Sequence, residues 1–415
     1  MNRSLTLLLQ ATKNAGSTLA GLSSAKKNAA LASLARVLEQ SRAEILAENK
    51  KDVKSAAARK LSSAYQDRLA ITPSRFNEML SQVKFIANAK NPIGEIIETK
   101  TLKNGIMLKK IRVPIGVIAI IYESRPTVTI DVAALCIKSG NACVLKGGSD
   151  AQNTNRALAH CITQALAHTG IPCEAVLFLD MRGRKAVSAL LQAREYIDVL
   201  IPRGGNELVQ KVANESVIPV LYHAEGGARI YIDESANVET AVKLCVNAKT
   251  SRPATCNSLD TVVVHARVAG AFLPLLAKKL APHRVEIRGD KKTRTRIKAR
   301  IASTKDYTTE FLDLILAVKV VDTLDEAIRF ITKTSKRHSE GVIARKKSAI
   351  SRFVNEIDAA ALFVNCSTRF HDGGVFEMGA EVGIATGKLH ARGPVGLYEL
   401  TTYKWVAYGS GQVRE

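Results

Sequence analysis

Cys256 lies in the run Ser251-Arg252-Pro253-Ala254-Thr255-Cys256-Asn257, among small and polar neighbours, and an apolar run, Val262 to Val264, follows shortly after. A thiol so placed could be exposed in a cleft and lifted to its thiolate by backbone N–H groups and nearby basic side chains. Thiolates attack acyl carbons, which makes covalent acyl chemistry the first candidate. A buried cysteine packing as a small hydrophobe is the alternative. Three other segments carry candidate groups. Lys146-Gly147-Gly148 follows a buried strand at the carboxyl edge of a parallel sheet, where a Lys could meet the ribose or phosphate of a dinucleotide, or simply face solvent. Arg203-Gly204-Gly205-Asn206, between strand and helix, offers backbone N–H groups and a helix start to an anion, although a tight structural turn fits equally well. Glu225, in His223-Ala224-Glu225-Gly226-Gly227, is a carboxylate that two glycines let approach a cleft as a base; a turn residue is the other reading. The G-x-G-x-x-G fingerprint does not occur in the chain.

These groups sit between elements that the hydrophobic pattern predicts. Residues 25–50 place Leu31, Leu34, Leu38, Ile45 and Leu46 at helical spacing, and a second amphipathic helix is predicted across 76–89. Lys103-Asn104-Gly105 between two strand-like runs signals a hairpin that interrupts the first domain as a protruding arm. Val117 to Tyr122 is an unbroken apolar run suited to a strand buried on both faces. A helix over 128–139, strand over 142–145, helix over 151–168, strand over 175–179, helix over 184–191, strand over 197–201 and helix over 206–212 then alternate. A second alternating section runs from Arg229 to about residue 390, with strands near 231–232, 261–264, 315–321 and 361–364. Such alternation indicates parallel α/β sheets. The tail, Leu397 to Val406, reads as a strand pairing with the hairpin arm of a neighbouring copy.

Composition narrows the class. The 415 residues, 46% of them hydrophobic, allow two or three domains with cores of their own. No apolar run approaches the roughly 18 residues of a membrane span, so a membrane partner is not expected. Seven widely spaced cysteines, without a CxxC pair, signal neither a disulfide framework nor a zinc site, and reduced thiols fit a cytosol. No metal site is expected, and His338 and His371, which lack ligand-spaced companions, read as structural. Sixty basic against thirty-eight acidic residues give a net charge of +22, which suits anionic substrates and phosphorylated cofactors. The densest cluster, Lys291 to Arg300, has no interleaved aromatic for stacking bases, so it reads as a solvated face and nucleic acid is not the expected partner. The start of the chain carries no acidic residue before Glu39, a texture resembling an organellar transit peptide; the element already legible from Leu19 to Leu46 favours the cytoplasm.

Taken in order, several segments resemble the aldehyde dehydrogenase superfamily. They are Arg112-Val113-Pro114-Ile115-Gly116-Val117, Tyr122-Glu123-Ser124-Arg125-Pro126, Lys146-Gly147-Gly148 and Arg252-Pro253-Ala254-Thr255-Cys256-Asn257. With them stand Ser367-Thr368-Arg369-Phe370, Asp372-Gly373-Gly374, Gly383-Ile384 through Leu397, and Glu399 through Trp405. Within the superfamily the terminal run from Lys388 to Trp405 is most similar to the branch that reduces L-glutamyl 5-phosphate in proline biosynthesis. The resemblance implies an aldehyde dehydrogenase-like α/β fold in three parts. These are a Rossmann-like cofactor domain over 1–228, interrupted by the hairpin at about 95–113, an α/β catalytic domain over 229–390, and a small β oligomerisation arm completed by 391–415. It implies NADPH as hydride donor, held by Lys146, Gly204, Gly205, Asn206, Glu225 and Glu310, the last at the position that holds the nicotinamide ribose. A homo-oligomer and functional coupling to glutamate 5-kinase are also implied. The chain departs from the superfamily at three points: Ser124 stands where an Asn binds the oxyanion, Thr127 replaces an Asn after Arg125-Pro126, and Ala228 breaks the usual pattern after Glu225.

The expected reaction is attack of the Cys256 thiolate on the acyl phosphate, loss of phosphate, and reduction of the resulting thioester to L-glutamate 5-semialdehyde. The oxyanion would be held by the Cys256 N–H and Ser124. Arg125, Arg252 and Arg369 are the candidate cations for the substrate's carboxylate and phosphate. Glu225 is not expected as an essential hydrolytic base, because water attack would waste the thioester. Two other readings are an aldehyde dehydrogenase oxidising free aldehydes and a nucleic-acid-binding protein on an inactive enzyme fold.

Overall fold

The structure is a computed structural model that describes residues 3–181, 183–222 and 225–414. The chain divides into two units, one of Met1–Tyr222, Glu377–Gly383 and Val395–Glu415, the other of His223–Phe376 and Ile384–Pro394.

In the first unit, Val117–Tyr122 and Ala142–Gly147 are buried at every position. They pair in parallel, each fully buried Val, Ile or Leu contributing about 1.5–3 kcal/mol. Val176–Phe178 and Val199–Arg203 complete a four-stranded sheet in which Val117–Tyr122 lies between Ala142–Gly147 and Val199–Arg203. In chain order the strands run 3-2-1-4 across the sheet, which places a topological switch point between Val117–Tyr122 and Val199–Arg203. The helix Val128–Ser139 ends at Gly140, whose φ of 75° is the left-handed cap that a side chain disfavours.

Helix Arg3–Ala20 packs on this sheet, while Ser24–Gln40, Arg42–Ala58 and Pro73–Asn88 pack against the helices Val128–Ser139 and Gln152–His168. The single helix expected over 25–50 is two. Ser41 breaks it, with its N–H bonded back to Val37 and Glu39 carbonyls. Residues 3–20, marked in sequence only by their lack of acid, form a helix that buries Leu5, Leu9 and Leu19. The hairpin is present as Ile96–Thr101 and Met107–Pro114, closed by Lys103-Asn104-Gly105 with Gly105 at φ 82°. The C-terminal strand Thr401–Tyr408 pairs antiparallel with Met107–Pro114. The expected pairing with a neighbour's hairpin is therefore corrected: the partner is the same chain's own strand, whose exposed edge Tyr403, Trp405 and Tyr408 now extend.

The second unit is built on a seven-stranded parallel sheet. Its central strands, in spatial order, are Ile315–Val321, Leu259–His265, Ala228–Ile232 and Ser339–Ile343. Val238–Thr250 and Ala266–Leu280 pack on one face, around Phe272, Leu273 and Leu276. Leu324–Thr334 and Lys347–Glu356 pack on the other, around Ile331 and Phe353. The basic run 291–300 is exposed at each Lys and Arg. Part of it is neutralised locally, Lys292 by Asp322 at 2.5 Å and Arg300 by Glu286 at 2.9 Å.

Candidate active site

In the second unit, four loops that enter neighbouring strands carry the chemistry. Glu225 and Gly226 precede Ala228–Ile232, Cys256 precedes Leu259–His265, Glu310 precedes Ile315–Val321, and Lys336 precedes Ser339–Ile343. Because those strands lie side by side, their entry loops converge at the amino edge of the sheet. Open α/β sheets usually bind ligands at the opposite, carboxyl edge.

Cys256 is half-buried. Its loop is held by a turn, with the Ser258 N–H donating to the Thr255 carbonyl at 3.0 Å, and by Gly227 N–H donating to the Cys256 carbonyl at 2.6 Å. Gly226 fixes the spacing. A side-chain carbon there would lie 2.4 Å from the Cys256 Cβ and 2.5 Å from the Glu310 Oε1, so the thiol and that carboxylate flank one small gap that only glycine leaves open. The Glu310 carboxylate accepts from the Gly226 N–H, yet burial, followed by repulsion from Asp260, pushes its pKa up to about 7.

Two arginines lie close to the same loop. Arg369 donates from Nη1 to the Thr255 Oγ1 at 2.9 Å and from Nε to the Ser251 Oγ at 3.1 Å. Burial, then the like charge of Arg252, lowers the pKa of its guanidinium, while the charge of Cys256 acts in the opposite direction. The structure thus brings Arg252, Arg369 and Cys256 together. Asn257 ties the segment to the rest by donating from Nδ2 to the His371 carbonyl at 3.0 Å. His371 and His338 are fully buried and joined through the Ser339 hydroxyl, 2.8 Å from each Nδ1.

Behind the thiol lies a charge network that sequence reasoning missed. Lys249 Nζ faces the Asp260 Oδ1 at 3.5 Å, and the Arg229 Nη1 faces the Glu340 Oε1 at 3.4 Å, all four side chains being buried. Burial raises the Asp260 carboxyl to about 6 and the Glu340 carboxyl to about 7 against these cations. The Glu225 carboxylate is in ion-pair contact with Lys336, each about a third exposed. Nothing local marked Lys336, which stands among Lys333 and Arg337 as on any solvated face.

The remaining predicted residues belong to the first unit and gather at its switch point. Ser124 is buried at φ 50°, a strained value for a residue with a side chain. It is hydrogen-bonded to Tyr65, whose hydroxyl donates to the Asp150 Oδ2 at 2.5 Å. Arg125 is exposed in the following turn. Lys146, at the carboxyl end of its strand, is buried and donates to the Gly147 carbonyl at 2.6 Å, its pKa lowered by desolvation. Gly204, Gly205 and Asn206 are exposed, and Asn206 opens the helix Asn206–Glu215. The Gly205 N–H, read from sequence as a donor to an anion or as part of a tight structural turn, donates to the Glu123 Oε2 at 3.0 Å, so a carboxylate of the protein stands at that helix start.

The profile of the aldehyde dehydrogenase family matches residues 6–305. The chain belongs to the aldehyde dehydrogenase family. Two similar relatives are gamma-glutamyl phosphate reductases. That of Thermobifida fusca is 46% identical over 100% of this chain and 99% of its own. That of Carboxydothermus hydrogenoformans is 46% identical over 98% of each. A crystal structure of gamma-glutamyl phosphate reductase from Thermotoga maritima superposes with a TM-score of 0.97, at 44% identity, covering 99% of this chain and 100% of that one. Within the aldehyde dehydrogenase family the chain stands in that branch, and the α/β fold with two parallel sheets is the family's.

Proposed function

We propose that this chain reduces L-glutamyl 5-phosphate to L-glutamate 5-semialdehyde with NADPH, releasing phosphate, as the second step from glutamate towards proline. The observation that carries this reading is Cys256, set in a half-buried loop with Arg252, Arg369 and Glu310 close by. The thiolate attacks the C5 acyl carbon, the bond from that carbon to the phosphate oxygen breaks, and a thioester forms on Sγ. Phosphate is a good leaving group, so no strong general acid is needed at this step. Arg252 and Arg369 supply positive charge for the substrate's carboxylate and phosphate. The Cys256 backbone N–H is the proposed donor to the oxyanion.

A nicotinamide cofactor is the family's hydride source, and the residues present suit one. The switch-point crevice with Lys146 at its carboxyl edge is where α/β sheets take dinucleotides, and the Glu310 carboxylate is an acceptor for ribose hydroxyls. When bound, NADPH supplies hydride to the thioester carbon. Because Glu123 already takes the Gly205 N–H, the turn at Gly204, Gly205 and Asn206 would hold the cofactor by close backbone approach more than by that donor. We infer further a homo-oligomer through the hairpin and the C-terminal strand, supported by exposed Ile96, Ile97, Tyr403 and Trp405. A cytoplasmic location fits as well, among described residues with no helix long and apolar enough to cross a membrane. The lability of an acyl phosphate favours direct supply by glutamate 5-kinase.

The test runs the reaction backwards. Glutamate 5-semialdehyde should reduce NADP only when inorganic phosphate is present, phosphate being the group that releases the acyl chain from sulfur. A rate independent of phosphate would favour the second reading, an enzyme that oxidises free aldehydes with water. The Glu310 carboxyl gives a separate handle. Below about pH 7 it is protonated, and only as the pH rises through that value does it become a full acceptor. The KM for NADPH should therefore fall about severalfold between pH 6 and 8. A Glu310→Gln variant with the same pH profile would remove Glu310 from the ribose site.

A further inference from the structure

A thioester on Cys256 is useful only if hydride reaches it before water does. A carboxylate beside it threatens that order, because a positioned carboxylate that takes a proton from water accelerates hydrolysis by about 10²–10⁴. Glu225 is the candidate, since its charge reaches the Glu310 carboxylate. It immediately precedes Gly226, the position that abuts both the Cys256 Cβ and the Glu310 carboxylate, and it is exposed enough for water to reach it. Lys336 closes on it as an ion pair. Glu225 and Lys336 come from the entry loops of Ala228–Ile232 and Ser339–Ile343, which are hydrogen-bonded neighbours, so the sheet itself sets the pair. The field of Lys336 also reaches Glu310.

We propose that Lys336 is a positioning residue that keeps Glu225 from activating water, so that the Cys256 thioester meets hydride or phosphate instead. The proposal rests on the thioester reading given above. An ammonium group in contact with a carboxylate takes the lone pairs that a water would use. Freed of that contact, Glu225 would take a proton from water while the water oxygen bonds to the thioester carbon. The C–S bond breaks, its electron pair returns to Sγ, and the free glutamate side chain leaves as a carboxylate. Carbon keeps its oxidation level, so no oxidant is consumed. In the direction that starts from the semialdehyde, hydride goes to NADP and water replaces phosphate as acceptor. Lys336 thus selects between two acyl acceptors, phosphate and water.

The experiment measures NADP reduction by glutamate 5-semialdehyde, with and without inorganic phosphate, together with the glutamate formed. Lys336→Ala should raise the phosphate-free rate about tenfold or more, with one glutamate per NADPH. Lys336→Arg should keep the phosphate requirement, and adding Glu225→Gln to Lys336→Ala should return the phosphate-free rate to background. The lifetime of the acyl adduct formed from L-glutamyl 5-phosphate without nucleotide is read by mass spectrometry, so a variant with impaired turnover still reports. An adduct on Lys336→Ala as long-lived as the wild-type one overturns the proposal. So does a phosphate-free gain that survives Glu225→Gln. No adduct on wild-type Cys256 at all would instead remove the thioester reading beneath it.

Discussion

Cys256→Ala should lower phosphate-dependent NADP reduction by at least about a thousandfold, the scale on which removal of a covalent nucleophile leaves only binding and oxyanion contacts. Folding should be spared. The loop is held by backbone bonds at Gly227 and Ser258, by Asn257 to His371 and by Arg369 to Thr255, none of which uses the sulfur. Cys256→Ser is the sharper companion, since it keeps the volume and loses the polarisable thiolate. An ester on serine accepts hydride less readily than a thioester, because oxygen donates more into the carbonyl than sulfur does. Both variants should melt at the wild-type temperature, and Cys256→Ala should form no adduct with L-glutamyl 5-phosphate. Equal rates in wild type and Cys256→Ala would refute the covalent route.

Arg229→Met should destabilise the second unit by about 3–5 kcal/mol, the usual cost of leaving one partner of a buried ion pair uncompensated. Arg229 is fully buried. It faces the Glu340 Oε1 and also donates to the carbonyls of Tyr307 and Thr334. The pH dependence fixes the cause. In the native wild type the Glu340 carboxyl stands at about 7, above its ordinary value, even beside Arg229. A group raised in this way holds a proton that the unfolded chain has lost, so stability falls as pH rises towards the folded value and levels off above it. Without Arg229 the folded value climbs further and the fall continues. The deficit of Arg229→Met should therefore widen between pH 7 and 9 in urea titrations. Glu340→Gln in the same chain should recover part of it. A deficit that is constant with pH would mean that lost packing, not charge, is responsible.

Most of the first unit was legible because its signals are local. Val117 to Tyr122 is apolar at each position, and only a strand covered on both faces uses such a run. Lys103-Asn104-Gly105 states its turn outright. The break at Ser41 was not legible, since the apolar period continues across it and only backbone bonding reveals two helices. Nor was the helix at 3–20, where Leu5, Leu9 and Leu19 are too sparse among polar residues to outweigh the odd charge. For the candidate site, Cys256 and Glu225 were singled out by residue type and neighbours, and the arginines by the charges of the substrate that the resemblance implies. The partners that tune them come from distant loops: Lys336 and Glu340 lie some 80 residues beyond Cys256. Only the strand order brings those loops together, and strand order is a long-range property. The rule that directs attention to the carboxyl edge of a sheet also pointed away from the amino edge where this thiol sits.

The pairing of Thr401–Tyr408 with Met107–Pro114 joins positions almost three hundred residues apart. Synthesis therefore leaves the hairpin with a bare strand edge until Thr401–Tyr408 has been made, and an unpaired edge of this length is a template for mispairing with other nascent chains. Closure across so wide a separation is also slow in proportion to contact order. A chain stopped before residue 401 would carry its catalytic loops intact and still aggregate through that edge.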